Sequence, residues 1–224
     1  NHNTMLSSRL ARLLPSPSGG ALLIPSQELT AAGYHMGAIG VPAPIAWRQP
    51  AASAAAQIRA QGGVAIAFHP AGPYARSFDA AFDTLDGIEA AHPLMHTFED
   101  GRRDMESAYR RAKAQRPSIA AIGSTDFHHF APVGLARTYL FGRDASRDAV
   151  LDAIRRGTTV ACDGAGQTYG PAELVAAVAA DCRRAATAPP AGAGAADTIA
   201  TICTWLGALG LVLAGCFERR ENLC

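Results

Sequence analysis

A glycine-led turn, residues 123–129, contains the residues whose types and spacing first suggest chemistry. Asp126 and His128 in this turn follow the apolar run 119–122, which is typical of a short buried strand. Side chains two residues apart point the same way from an extended backbone, so this carboxylate and imidazole are presented together. Both are ligands of divalent metals. Taken alone, the turn is equally compatible with a loop that happens to hold polar residues.

Other histidines occupy comparable positions. His69 directly follows the apolar run 64–68, Glu28 and His35 bracket a turn, and His2 lies at the start of the chain. Four of the seven histidines, together with one glutamate and one aspartate, therefore lie at strand ends or turns. This distribution favours a shared site for divalent metal over histidines scattered on the surface.

The remaining histidines are less informative. His92 and His96 follow residues 87–91, which have the composition of another strand. They either line the mouth of a pocket or are simply solvated. His129 would point away from its two neighbours in the turn if the backbone stays extended, so it is expected at most to face a substrate.

Five short motifs, in this order along the chain, resemble those of the polymerase and histidinol phosphatase (PHP) superfamily. They are Asn1-His2-Asn3-Thr4, Ile24-Pro25-Ser26-Gln27-Glu28, Gly33-Tyr34-His35, Phe68-His69-Pro70 and Gly123-Ser124-Thr125-Asp126-Phe127-His128. The resemblance covers roughly residues 1–164. Within the superfamily the chain looks closest to the branch named for carbamate and carbaryl hydrolases, the CehA/McbA-like metallohydrolases.

The resemblance implies an α/β fold, a distorted (β/α)7 barrel with two or three divalent metal ions (Zn, Mn or Fe) at the C-terminal ends of its strands. Carried over by motif, the metal ligands would be His2, Glu28, His35, His69, Asp126 and His128.

The resemblance also implies how these ligands divide. Glu28, His35 and His69 would hold one metal, and Glu28 would bridge it to a second metal that Asp126 also binds. The two remaining histidines of the set would hold a third metal. Glu28 and Asp126 are therefore the residues expected to be catalytic.

The chemistry that such a cluster supports is hydrolysis. Two metals about 4 Å apart can share a carboxylate, polarise a phosphoryl or carbonyl oxygen and lower the pKa of a bound water, which is then the nucleophile. The resemblance implies a metal-dependent hydrolase, with a small-molecule phosphoester as its substrate. A carbamate, ester or amide hydrolase with the same metal site is the alternative among enzymes. A non-catalytic, degenerate PHP scaffold or sensor domain at the membrane is the alternative outside them.

The chain also departs from the family pattern at its start. The family begins with a His-x-His motif on its first strand, and no such motif is present. Asn1 stands where the family usually has aspartate, and no methionine precedes it. We expect an N-terminally truncated domain that lacks its first strand, so this chain on its own is expected to be catalytically incomplete. The alternative is a domain that has lost one metal.

Composition bounds the remaining possibilities. A net charge of +1 over 224 residues provides no basic field that would recruit nucleic acid. The five cysteines are odd in number and scattered, and no Cys-x-x-Cys pair occurs. This pattern argues against a zinc ribbon and against a disulfide framework.

Helical and strand patterns alternate along the chain. Helices are predicted at 53–61, 101–115, 146–156 and 171–185, and strands at 137–141 and 158–162 besides the apolar runs above. Such alternation predicts an α/β fold with parallel strand pairing. We expect a PHP-like domain over 1–164, and a helix with an Ala/Pro/Gly linker over 165–197.

Residues 198–217 form an uncharged, mostly apolar stretch of the length needed to cross a bilayer as a helix. They predict a single membrane-spanning helix, followed by a charged tail at 218–224. Arg219 and Arg220 slightly favour a cytoplasmic C-terminus, which would place the metal domain on the extracytoplasmic side. The predicted partners are thus the membrane and a small phosphoester, without nucleic acid.

Overall fold

The computed structural model describes residues 2–11, 13, 22–126 and 134–187. Residues up to Thr187 form one compact unit. Its helices are α1 (Leu6–Ala11), α2 (Ala51–Ala60), α3 (Glu99–Gln115), α4 (Arg147–Arg156) and α5 (Ala172–Thr187). Its strands are β1 (Ser26–Thr30), β2 (His35–Ile39), β3 (Val64–Phe68), β4 (Gly87–Ala91), β5 (Ala120–Gly123), β6 (Arg137–Leu140), β7 (Thr159–Cys162) and β8 (Thr168–Tyr169).

The first sheet is mixed and has the order β1-β2-β3-β4-β5. β3, β4 and β5 pair in parallel, as the alternation of helices and strands predicts. β1, β2 and β3 pair antiparallel, which corrects the expectation of parallel pairing for this part of the chain. For β1 and β2 the cause is a short turn, closed by a hydrogen bond from the Ala31 backbone N–H to the Tyr34 carbonyl at 3.0 Å, that leaves no room for a crossover helix. β2 and β3 are antiparallel although α2 lies between them in the chain.

The second sheet has the order β6-β7-β8 and is antiparallel throughout. It adjoins β5, because the Thr159 hydroxyl donates to the Ala121 carbonyl at 2.8 Å and the Thr138 hydroxyl donates to the Gly123 carbonyl at 2.9 Å. Gly123 is required at this junction, since a Cβ there would lie 2.5 Å from the Arg137 carbonyl oxygen. The fold is therefore a mixed α/β arrangement whose described strands form two sheets, and the (β/α)7 barrel that the resemblance implies stays a prediction.

Small side chains let these sheets approach. A buried layer between β4, β5 and β7 consists of Ala90, Ala91, Ala121, Ala136 and Ala161. The larger core lies under α2 and α3, where Phe78, Phe82 and Ile58 are almost fully buried. The aromatic and branched residues of that core supply most of the apolar area removed from water, and the alanine layer holds the strand ends close together.

The helices match their sequence signals closely. α4 begins at Ser146, whose hydroxyl accepts a hydrogen bond from the Ala149 backbone N–H at 3.2 Å. It ends at Gly157, which takes the left-handed conformation expected of a C-terminal cap. α2, α3 and α4 lie within two residues of the predicted helices at 53–61, 101–115 and 146–156.

The cysteines give a different result from the one expected. Cys162 at the end of β7 and Cys182 on α5 are joined by a disulfide bond, with Cα atoms 5.9 Å apart. The odd and scattered cysteines argued against a disulfide framework and gave no sign of this single bond, because the two residues are 20 apart in sequence and meet only when α5 packs on β7. α5 thereby forms part of the compact unit.

No helix among the described residues is long and apolar enough to cross a membrane. The predicted span at 198–217, with most of the preceding linker and the charged tail, lies outside the described residues and stays a prediction.

Candidate metal centre

Strand register brings the first set of predicted ligands onto one face. Glu28 pairs with Gly37 across β1 and β2, and Thr30 pairs with His35. Paired residues and residues two apart share a face of the sheet, so Glu28 and His35 point the same way. His69 follows the end of β3, next to the Phe68 that pairs with His35. Residues far apart in the chain thus meet at one edge of the sheet.

The polar atoms of this set, cluster A (His2, Glu28, His35, with His69 beside it), converge closely. His35 Nδ1 lies 2.9 Å from Glu28 Oε1 and 3.0 Å from His69 Nε2. His2 Nδ1 lies 3.6 Å from Glu28 Oε1 and 2.6 Å from the Thr30 hydroxyl. Ligand atoms of a tetrahedral metal bound at about 2.0–2.1 Å lie about 3.3 Å from one another. The separations in cluster A are therefore those of a metal ligand set.

Two buried atoms of the site lack a hydrogen-bond partner among the described residues. They are Glu28 Oε1 and His69 Nδ1. An unpaired buried carboxylate oxygen is costly, and a cation bound beside it would remove that cost. This oxygen faces imidazole nitrogens, and carboxylate and imidazole together suit zinc, iron and manganese. The residues present therefore fit the divalent metals that the sequence implies.

A second group, cluster B, consists of His69, Glu89 and His92, and one potential ligand atom of each lies within 4.8 Å of the others. His69 Nδ1 lies 3.5 Å from Glu89 Oε2, and His69 therefore stands between the two clusters. His92 Nε2 lies 3.3 Å from Asp126 Oδ2, which brings the predicted Asp126 to this cluster.

Two residues of the site have an unusual backbone conformation. His69 has a φ of 28° and Asp126 a φ of 45°, both in the left-handed region that non-glycine residues rarely occupy. His69 directly follows β3, and Asp126 lies three residues beyond the end of β5. Strained residues of this kind cluster at functional sites, where the surrounding structure must hold them in place.

The pKa values of the two neighbouring imidazoles are shifted in opposite directions. Burial, and then the nearby His69, lower the pKa of His35 below its ordinary value. Burial alone would lower the pKa of His69, but Glu89, followed by the charges of Asp126 and Glu28, outweighs burial and raises it. The two rings meet at 3.0 Å between His69 Nε2 and His35 Nδ1, and the tautomer of each ring decides which of them donates. A metal bound at these nitrogens would compete with protons for them.

The structure thus brings together five of the six predicted ligands: His2, Glu28, His35, His69 and Asp126. His128 lies outside the described residues. Sequence reasoning missed Glu89 as a site residue, because it lies within a buried strand, and it left His92 undecided. The signal that could have found Glu89 is a carboxylate inside an otherwise apolar strand run, since such a charge needs partners.

A further pair lies nearby. His96 Nδ1 lies 3.2 Å from Asp163 Oδ2, and the other oxygen of Asp163 accepts hydrogen bonds from the backbone N–H groups of Ala165 and Gln167. Burial would raise the pKa of Asp163, but these hydrogen bonds outweigh it and lower that pKa. The pair was also missed, because its members are 67 residues apart.

Comparisons with known proteins give two matches. A family model described as PHP-associated matches residues 109–159. A two-domain protein from Bacteroides vulgatus ATCC 8482, described as containing a predicted PHP-like metal-dependent phosphoesterase, has a similar solved structure with a TM-score of 0.55 and 20% sequence identity. These findings support the PHP superfamily.

The extent of these matches is limited. The alignment with the Bacteroides structure covers 76% of this chain and 51% of that one, so the chain spans about half the length of that PHP-like protein. At 20% identity the likeness shows the fold alone. No curated protein matches the chain.

Proposed function

We propose that this chain is the metal-binding part of a PHP-type hydrolase that cleaves small-molecule phosphoesters with a metal-activated water. The observation that carries the proposal is the buried Glu28 Oε1, which faces His35 Nδ1 at 2.9 Å and His2 Nδ1 at 3.6 Å and has no assigned hydrogen bond among the described residues. A carboxylate oxygen that faces imidazole nitrogens in this way is arranged for a cation.

Each residue has a definable task in this proposal. Glu28, His35 and His69 would hold one metal, with His2 on the exposed side of this set. Asp126 binds a second metal and is oriented by His92, which lies 3.3 Å away. When bound, divalent metals such as zinc, manganese or iron polarise a phosphoryl oxygen and lower the pKa of a water.

The surroundings of His35 and His69 shift the pKa values of these two histidines in opposite directions. Against the effect of burial, nearby carboxylates, Glu89 foremost, raise the pKa of His69, whereas burial lowers the pKa of His35, so a bound metal would compete with protons mainly at His69. His128 and a third metal belong to the same proposal, as do the partial (β/α)7 barrel and the CehA/McbA-like branch.

The first experiment measures metal binding and hydrolysis on the same preparation of the 224-residue chain. We expect Zn²⁺ or Mn²⁺ to bind, as measured by calorimetry and elemental analysis. Hydrolysis of para-nitrophenyl phosphate or bis(para-nitrophenyl) phosphate should require that metal and stop on chelation. Para-nitrophenyl acetate and a para-nitrophenyl carbamate test the ester and carbamate alternative.

The matched variants are Glu28→Ala and Glu173→Ala, because Glu173 is an exposed glutamate on α5 outside the site. Glu28→Ala should lose bound metal and activity, and Glu173→Ala should keep both. Metal binding without hydrolysis of any ester would support the scaffold alternative or an incomplete domain. Wild-type protein that binds no divalent metal would contradict the proposal.

A further inference from the structure

Glu89 lies in the middle of β4, where every residue is buried, and its side chain is only 1% exposed. The pairing of β4 with β5 is irregular between Glu89 and Ala91, which is the mark of a β-bulge. Bulges next to functional sites redirect a side chain. A carboxylate this deep must be hydrogen-bonded, so the identity of its partners indicates its role.

Both carboxylate oxygens of Glu89 are bound by the protein. Oε2 accepts a hydrogen bond from the His69 backbone N–H at 2.5 Å, and Oε1 accepts one from the Ser124 hydroxyl. The first donor follows β3 and the second follows β5, so the side chain of the central strand joins the turns on both sides. Glu28 differs, because its Oε1 has no hydrogen-bond partner among the described residues.

The two hydrogen bonds of Glu89 fix the turns that carry His69 and Asp126, which the strand pairing does not reach. His69 keeps its left-handed φ of 28° while its N–H is fixed by Glu89, and its ring Nε2 then faces His35 Nδ1 at 3.0 Å. Ser124 begins the turn that leads to Asp126, which also has a positive φ. Glu89 thereby sets the distance between two predicted metal ligands.

We propose that Glu89 is a positioning residue of the metal site, which clamps the His69 turn to the Ser124 turn and does not ligate metal. The inference rests on the proposed function, since it assigns a task within that site. The competing assignment is that Glu89 is itself a ligand, because its carboxylate, His69 and His92 are close enough to share an ion.

The test compares Glu89→Gln, Glu89→Ala, Ser124→Ala and Glu28→Gln in the full chain. Glutamine at 89 can still accept from the His69 N–H through its oxygen and can donate to the Ser124 hydroxyl through its amide nitrogen. It therefore preserves both contacts with one of them reversed. If Glu89 acts only through its hydrogen bonds, Glu89→Gln should keep metal binding. If Glu89 is an anionic ligand, Glu89→Gln should lose metal, because the amide has no charge.

The readouts are the number of Co²⁺ ions bound, their visible absorption bands and their Kd. Glu89→Gln should bind as many Co²⁺ ions as wild type, with the same bands and a Kd within about 10-fold. Glu89→Ala should weaken binding about 10- to 100-fold, the effect expected when support for a ligand is lost. Ser124→Ala, which removes one contact, should fall between them, and Glu28→Gln should lose bound metal and change the bands.

The result that overturns the proposal is loss of a bound Co²⁺ ion with altered bands in Glu89→Gln, matching Glu28→Gln. If Ser124→Ala and Glu89→Ala, each as a single variant, both bound Co²⁺ with the wild-type Kd, the proposal would also be overturned. Glu89→Ala is checked for folding by its near-ultraviolet circular dichroism. Should it fail to fold, Glu89→Gln and Ser124→Ala decide between the two assignments.

A metal-free measurement separates this inference from the proposed function. In wild type the His69 amide should exchange slowly with deuterium, as resolved by NMR, because Glu89 holds it. Ser124→Ala loosens one side of the clamp and should raise this exchange rate severalfold, whereas Glu89→Gln should leave it close to wild type. Unchanged exchange in both Ser124→Ala and Glu89→Ala would refute the clamp. If wild type bound no Co²⁺, the proposed function would be refuted, and the exchange rates alone would decide whether Glu89 holds the His69 turn.

Discussion

Clusters A and B have the same composition, two histidines and one glutamate, yet their glutamates are in opposite states. Glu28 of cluster A has a buried oxygen without a hydrogen-bond partner among the described residues. Glu89 of cluster B has a protein donor on each oxygen. We infer from this difference that cluster A is the binding site and that Glu89 supports it, because the hydrogen bonds of each carboxylate distinguish the two.

His69 connects the clusters, so its removal should have the largest effect. We expect His69→Ala to reduce both metal affinity and metal-dependent phosphoesterase activity at least about 100-fold, since even losses in the supporting shell cost 10- to 100-fold. The measurement is kcat/KM with added Mn²⁺, alongside calorimetric metal titration. Retention of both properties would mean that His69 is not a ligand and that the clusters are unrelated.

The next largest effect should separate His35 of cluster A from His92 of cluster B. His35→Gln removes a nitrogen that touches both Glu28 and His69, and we expect about 100-fold loss of kcat/KM. His92→Gln removes the imidazole that lies 3.3 Å from Asp126 and accepts a hydrogen bond from the Met95 backbone N–H, and we expect about 10-fold loss. The same assay measures both variants, and a larger loss in His92→Gln would reverse the assignment of the clusters.

Metal-free stability should show the opposite order. Glu89→Ala leaves the His69 N–H and the Ser124 hydroxyl without an acceptor, at about 1–3 kcal/mol each, so we expect a loss of at least about 2 kcal/mol. Glu28→Ala at pH 8, where the lowered pKa of His35 leaves that imidazole neutral, should change the free energy of unfolding by about 1 kcal/mol or less. Urea denaturation with chelator present measures both, and equal losses would remove the distinction between the glutamates.

The smallest effect concerns Asp163, outside both clusters. Its folded pKa is depressed below the ordinary 3.8, so its charge stabilises the fold above that value, and this contribution is lost as pH falls through the folded pKa. Asp163→Asn should therefore lower stability by about 1–2 kcal/mol at pH 7. The gap to wild type should narrow below about pH 4. A gap that stays constant down to pH 3 would show that the hydrogen-bond geometry, and not the charge, matters.

Much of the local structure could be predicted because its signals are local. His69 follows an apolar run whose bounds, 64–68, are those of β3. Gly157 ends α4 where a left-handed cap is needed. The many charged residues of α3 indicated a helix there. These features depend on a few consecutive residues, so the sequence displays them directly.

The remainder depends on contacts between distant residues. The sequence predicts that Glu28 and His35 bracket a turn, but it does not show that Glu28 lies inside β1, because strand pairing with β2 decides that boundary. The role of Glu89 depends on Ser124, 35 residues away, and on His69, 20 residues away. The bond between Cys162 and Cys182 likewise requires the docking of α5. No short pattern encodes such pairings.

The alanine layer between β4, β5 and β7 has a consequence for how this protein can evolve. Its members are 0–2% exposed, and the neighbouring Gly123 admits no Cβ. An added methyl group there overpacks the core at about 1–3 kcal/mol, a large part of a typical domain's stability. Substitutions should therefore accumulate in the turns at the strand ends and not in this layer. Descendants of this fold should diverge in what they bind long before they diverge in how they pack.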